Sequence, residues 1–279
     1  MIGVGAGPMK TVELAENYGF AACDISINAI GGSDASWEQR AAEARKLSDA
    51  MKAAGIFPGS CGGILPGKLS VPDDEWDAAM EELDTRIRTA SALGFDRTTI
   101  VMLPFHEELP FDECFALHVK RCRQAAAALA EGGIRLGIEY VSQKTRRAGY
   151  PHEFIYDLKG TLRLIDEIGA ENVGVLLDSF HWFCAGENLG DIRALTNDRV
   201  VVVHVNDSIA GRSMEEQVAF ERKIPGATGI IDLAGFLGAL RSIDYDGPVT
   251  AEPMDKALNE REDGEALAAV ARAMADLGI

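Results

Sequence analysis

Short apolar runs and longer amphipathic stretches alternate about eight times along this chain. The runs are Ile2–Gly5, Ala21–Ile25, Ile56–Cys61, Thr98–Met102, Ile134–Glu139, Val173–Asp178, Val200–Val205 and Val249–Glu252, each the length of a strand buried on both faces. Between them, apolar positions recur at helical spacing near residues 9–18, 37–54, 73–93, 111–132, 152–169, 188–197, 232–241 and 260–277. Strand followed by helix, repeated, predicts βαβ units and a parallel sheet. Eight units in 279 residues predict an α/β fold of the (β/α)8 TIM barrel type, a single domain over residues 1–279. An open doubly wound sheet would want a glycine fingerprint, and Gly3-Val4-Gly5-Ala6-Gly7 does not fit GxGxxG.

The punctuation agrees with this division. Gly19, Gly55, Gly94 and Gly133 each follow an amphipathic stretch and precede a strand, where a helix-terminating glycine belongs. Ser36 with Gln39 reads as a capping box, and Asp191 as the cap of a later helix. The longest segments outside the repeat are 62–72, 140–151 and 206–231. All three follow a strand, so all are expected at the C-terminal face of the barrel, which carries catalysis in this architecture.

Four of the runs end in an ionisable residue: Glu139, Asp178, His204 and Glu252. A lone acid at a strand end can equally cap the next helix, and a lone histidine after four valines can be a satisfied core residue. Together they are harder to explain that way, because four polar groups converging on an apolar mouth are costly unless paired or ligated. Three carboxylates and an imidazole suit one divalent cation, Mn²⁺ first, with Mg²⁺, Co²⁺ or Zn²⁺ as alternatives. Nearby, His181 begins the segment after Asp178, and Asn206 and Asp207 follow His204, placed to orient its ring or to meet substrate. Lys144-Thr145-Arg146-Arg147 is a basic cluster that either holds an anionic or polyhydroxylated substrate or is a solvated charge run. Arg222, before Ile224-Pro225-Gly226, is a candidate for a hydrogen bond to substrate. Phe105, Trp37, Trp182 and Phe183 either wall a sugar face or pack beneath the loops.

Charge and cysteines narrow the partners. A net charge of −17, from 44 acidic and 27 basic residues, disfavours nucleic acid. No run approaches the ~20 apolar residues of a membrane span, and the start lacks the basic and apolar regions of a secretory signal. Five cysteines without a CxxC pair suggest reduced thiols and a cytoplasmic protein, with Cys184 an inert thiol. The expected partner is a small molecule; whether the chain forms a homo-oligomer is open. There is no GxSxG elbow, no phosphate loop and no HExxH.

On these residues the chain resembles the sugar phosphate isomerase/epimerase superfamily, the xylose isomerase-like TIM barrels. The resemblance is carried by Gly137-Ile138-Glu139-Tyr140, Val175-Leu176-Leu177-Asp178-Ser179-Phe180-His181, His204-Val205-Asn206-Asp207, the stretch from Arg222 to Asp232, and Tyr245–Pro253. It covers residues 130–255 well, while the first half matches in barrel rhythm alone. It implies a metal set of Glu139, Asp178, His204 and Glu252, with Glu139 and Glu252 also the acid/base pair, one on each face of a sugar. It implies substrate contacts from His181 and Arg222, to which the reading above adds Lys144 and Asn206. The implied activity is isomerisation or epimerisation of a ketose, keto-inositol or related sugar, phosphorylated or not, by proton transfer through a metal-bound enediolate. Two departures stand out. The family's Pro-Gly-Glu-Gly loop is here Gly226-Ala227-Thr228-Gly229 without the glutamate, and Asp24 stands near the end of the second strand where many members have glutamate.

Three other functions compete. A lyase, dehydratase or 3-keto-glycoside-cleaving enzyme would use the same enediolate to expel a leaving group. An AP endonuclease would need more histidines than the five present. A non-catalytic sugar-binding protein would have no use for two carboxylates on a metal.

Overall fold

The computed structural model describes residues 7–32 and 35–279, so the expected strand Ile2–Gly5 lies outside the described residues. In chain order the elements are α1 (Pro8–Asn17), β1 (Ala22–Ser26), α2 (Trp37–Ala54), β2 (Phe57–Gly62), α3 (Asp73–Glu81), α4 (Leu83–Leu93), β3 (Arg97–Met102), β4 (Phe105–His106), α5 (Phe111–Glu131), β5 (Arg135–Tyr140), α6 (Lys144–Arg147), β6 (His152–Glu153), α7 (Leu158–Ile168), β7 (Val173–Asp178), α8 (Ser179–Cys184), α9 (Leu189–Arg193), β8 (Val200–Val205), α10 (Leu233–Ser242), β9 (Val249–Ala251), α11 (Lys256–Asn259) and α12 (Asp263–Asp276).

Strands β3, β5, β7, β8 and β9 form one parallel sheet in that order, and β1 pairs β2 in parallel. The two sheets meet where Thr98 Oγ1 donates to the Cys61 carbonyl at 2.8 Å. Each strand of β5, β7 and β8 is almost wholly buried, because helices cover the outer face and side chains fill the inside. This is the (β/α)8 barrel architecture that the alternation predicts. Gly174 shows how tightly the strands close: a Cβ there would meet the Arg199 carbonyl oxygen at 2.5 Å.

One irregularity matters for function. Between β7 and β8 the partners run Val175↔Val200, then Leu176↔Val202, so Val201 is an extra residue in β8. Without that bulge Asp178 would face Val203. With it, Asp178 and His204 stand opposite each other.

Most expected boundaries hold within a residue or two, and the exceptions have local causes. The stretch 73–93 is two helices, broken at Glu82 (φ −91°, ψ −3°). Residues 152–153 pair with 105–106 as a small antiparallel ladder, so helix α7 starts later, at Leu158 behind its Asp157 cap. Helix α9 is shorter than expected and is capped by Asn188, with Asp191 returning the bond as the third residue of a capping box. The Ser36–Gln39 capping box is present, and Gly19, Gly55, Gly94 and Gly133 all adopt positive φ. Asp24 lies in the middle of β1 rather than at its end, and its Oδ1 accepts from the Ser60 N–H at 2.6 Å. None of the cysteines is in a disulfide, and among the described residues no helix is long and apolar enough to cross a membrane.

Candidate metal centre

Glu139, Asp178, His204 and Glu252 come from the C-terminal ends of four neighbouring strands, β5, β7, β8 and β9. Glu252 lies one residue past β9, its N–H still bonded to the Val205 carbonyl at 3.0 Å. One donor atom from each of the four lies within 4.8 Å of the others. Asp178 is fully buried, and the other three are nearly so.

Asp178 explains the spacing to His181. Its Oδ1 caps α8, accepting from the N–H groups of Phe180 at 2.7 Å and His181 at 3.1 Å, so the first turn of that helix carries His181 back to the centre. Its Oδ2 accepts from Asn206 Nδ2 at 3.1 Å and from Arg222 Nη1 at 2.9 Å. Arg222 is buried and also donates to Glu252 Oε2 at 2.7 Å and, through Nε, to the Ala219 carbonyl at 2.8 Å. His181 Nε2 lies 3.2 Å from Arg222 Nη2 and 3.7 Å from Glu139 Oε1.

The donor set fits a cation. His204 Nδ1 is buried without a hydrogen-bond partner; it is 3.4 Å from Glu252 Oε2 and 4.0 Å from Asp178 Oδ2, out of line for a bond to either. A free imidazole nitrogen among three carboxylates suits a divalent cation. The titration behaviour agrees. Burial, then Glu252 and Asp178 alongside, push Glu139 up to about 8. Burial opposes charge on His204, yet Glu252, Glu139 and Asp178 outweigh it and lift the ring to about 9. Burial alone would raise Glu252 too, but His204 and Arg222 hold it well below the usual carboxylate range. The centre therefore gathers protons to offset surplus negative charge, and a divalent cation would replace them.

The structure brings His181, Arg222 and Asn206 to this centre. Asn206 is fully buried, spent on Asp178 and on Ser179 Oγ, so it steadies a carboxylate. Lys144 is exposed and pairs with Glu215 at 2.8 Å. Arg146 and Arg147 lie over aromatic rings, Phe105 and Phe220 for the first and Tyr156 for the second. Asp207 does not orient His204. Its buried carboxylate collects the N–H groups of Ser208, Thr228, Gly229 and Ile231, and so folds the Gly226–Gly229 loop that departs from the family pattern. Trp182 packs against Phe236, and Phe105 stacks on Tyr150. Burial pushes the Cys184 thiol up to about 12, which leaves it inert. Two contributors escaped the sequence reading, Ser142 and Gln143, which both reach His181 Nδ1. Two small polar residues after a strand carry no periodic or motif signal.

Fold and site together define a parallel α/β barrel with a carboxylate–imidazole centre able to hold one metal ion at its C-terminal mouth. Residues 12–276 match the family model of the xylose isomerase-like TIM barrel, and the chain belongs to that family. A xylose isomerase domain protein from Alicyclobacillus acidocaldarius superposes with a TM-score of 0.82 at 27% identity, covering 98% of this chain and 93% of the other. Inosose isomerase from Bacillus subtilis is 23% identical over 174 residues, 61% of this chain and 58% of the relative. L-ribulose 3-epimerase from Methylomonas sp. is 26% identical over 134 residues, 48% of this chain and 40% of the relative. The chain thus spans no more than about three-fifths of the length of these two curated relatives.

Proposed function

We propose that this protein is a divalent-metal-dependent isomerase or epimerase acting on a ketose, keto-inositol or related sugar. The observation that carries the reading is the convergence of four donors from four neighbouring strands on a point where His204 Nδ1 lacks a partner. The named relatives, an inosose isomerase and a ketose 3-epimerase, support the class of chemistry.

Glu139, Asp178, His204 and Glu252 would hold the cation, with Mn²⁺ the first choice for a mainly carboxylate set and Mg²⁺, Co²⁺ or Zn²⁺ as alternatives. When bound it would polarise a carbonyl and acidify the neighbouring C–H. The proton is then moved by the chain itself. Glu139 and Glu252 stand on the two outermost strands of the set, β5 and β9, so they flank a substrate from different sides, one removing a proton and the other returning it. His181 and Arg222, whose Nε2 and Nη2 lie 3.2 Å apart, hold substrate oxygens from adjacent positions. Burial pushes the His181 ring down to about 4, so it serves as a neutral hydrogen-bonding group.

The test is metal content. Purified protein should carry about one divalent ion per chain, and Asp178→Asn or His204→Ala should lose it. Full occupancy in both variants would remove the metal reading. A panel of ketoses and keto-inositols, with product mass measured, then separates isomerisation, which conserves mass, from elimination, which does not.

A further inference from the structure

The turn that leads from β4 to α5 is built around a histidine. His106 ends β4, and its ring Nδ1 accepts two backbone N–H groups, from Glu108 at 3.1 Å and from Leu109 at 2.9 Å. A backbone N–H can only donate, so Nδ1 is unprotonated and the neutral ring carries its hydrogen on Nε2. The arrangement is that of an Asx turn, with Nδ1 standing where the Oδ1 of an asparagine would. Unlike an amide oxygen, that nitrogen takes up a proton where histidine titrates. The lone pair a proton would join is the one that both N–H groups already occupy. Protonation and opening of the turn are therefore one event.

The turn fastens a segment that starts at the candidate centre. Strand β4 pairs with β6 through Phe105↔Glu153 and His106↔His152, and the Phe154 N–H donates to the Pro104 carbonyl at 2.9 Å. Phe105 stacks on Tyr150 and lies under the Arg146 guanidinium. These contacts hold the far end of residues 141–153, whose near end leaves β5 just past Glu139. A ladder of two residues per strand is weak by itself. The charges around His106 pull both ways. Burial, above all, holds the ring below its ordinary range; Glu108 and Glu107 on the turn favour a proton, while His152 on β6 and Arg121 on α5 oppose one. His118, on α5 as well, is pushed down to about 4 by burial and stays neutral. A ring that is harder to protonate when folded leaves stability untouched above its unfolded value of ~6.5 and lowers it as pH falls below.

We propose that His106 is a pH-sensitive latch: a proton on Nδ1 opens the 106–109 turn and releases the β4–β6 ladder, freeing the segment that borders the strand-end centre. The latch does not depend on what that centre binds or converts.

The experiment is amide hydrogen exchange of the full chain, followed by NMR from about pH 7.5 to about pH 5 and corrected for the intrinsic pH dependence of exchange. Below about pH 6.5, protection at Glu108, Leu109 and Phe154 should fall together, about 10-fold per pH unit, while amides of β7 hold. In His106→Asn the side-chain oxygen accepts the same two N–H groups and does not titrate, so protection should stay at its high-pH level throughout. Flat protection in the wild type overturns the proposal, and so does a fall that persists unchanged in His106→Asn, which would point to His152. Loss at Glu108 and Leu109 with Phe154 still protected overturns the release of the ladder. Should the variant fail to fold, the wild type alone decides: the ¹⁵N titration of the His106 ring must coincide with the loss of protection, and a loss at a different pH overturns the latch.

Discussion

At the scale of single residues, the two glutamates are the sharpest test of the chemistry. Glu139→Gln or Glu252→Gln keeps an oxygen donor and the shape of the side chain but removes the base. General acid–base effects of ~10²–10⁴ in turnover are expected, with a smaller loss of metal affinity. Exchange of the substrate's carbon-bound proton with deuterated solvent would separate the roles, because a variant lacking only the returning acid still exchanges. Near-normal turnover in both would end the two-base mechanism. Glu187 makes a different prediction. Its Oε2 accepts from the Tyr140 hydroxyl at 2.7 Å and its Oε1 from the Leu158 N–H at 2.6 Å, while burial pushes its pKa up to about 7. The folded chain keeps a proton that the unfolded chain releases near ~4.3. Stability from this group is therefore present at low pH and falls as pH rises towards 7, by at most about 4 kcal/mol. Urea denaturation of Glu187→Gln should show a flatter dependence across that window than wild type. Equal slopes would mean that Glu187 titrates normally.

At the scale of elements, the strand ends were legible because chemistry interrupts an apolar run there, and four such interruptions at the ends of four strands are hard to produce by chance. What was not legible has physical reasons. Strands β4 and β6 are two residues each, too short for any period. Helix α8 is six residues and is set by the Asp178 side chain, so the same acid marks a strand end and a helix start. The break at Glu82 falls inside a continuous helical pattern. Lys144 stands out as part of a basic cluster in an acidic chain, which suits a substrate ligand or a solvated charge run, and its charge is matched by Glu215 across the loop. The 226–231 loop offers the test at this scale. Asp207→Ala would strand four N–H groups, each costing about 1–3 kcal/mol when left unsatisfied, with water and relaxation recovering part. Amide exchange should accelerate at Thr228, Gly229 and Ile231 far more than in β7. Unchanged protection there would show that the loop is held by other contacts.

At the scale of the whole molecule, strands from both halves of the chain contribute to one centre, Glu139 and Asp178 before residue 185 and His204 and Glu252 after residue 200. Cleavage between those positions should leave fragments without cooperative unfolding, since β8 bonds to β7 on one side and β9 on the other. A C-terminal fragment that melts cooperatively alone would argue for two folding units. The extra residue in β8 acquires its weight here. The run Val200–Val203 reads as four interchangeable fillers, and exchanging any one for isoleucine would alter only how space is occupied. Length is another matter. In a sheet whose strands are bonded on both sides, losing one valine cannot be absorbed at a free edge; it turns His204 to the opposite face and silences the centre without touching any of its four donors. Relatives of this chain should therefore drift freely in the letters of that strand while keeping its count, and a gap there is a better sign of lost activity than any single substitution among its valines.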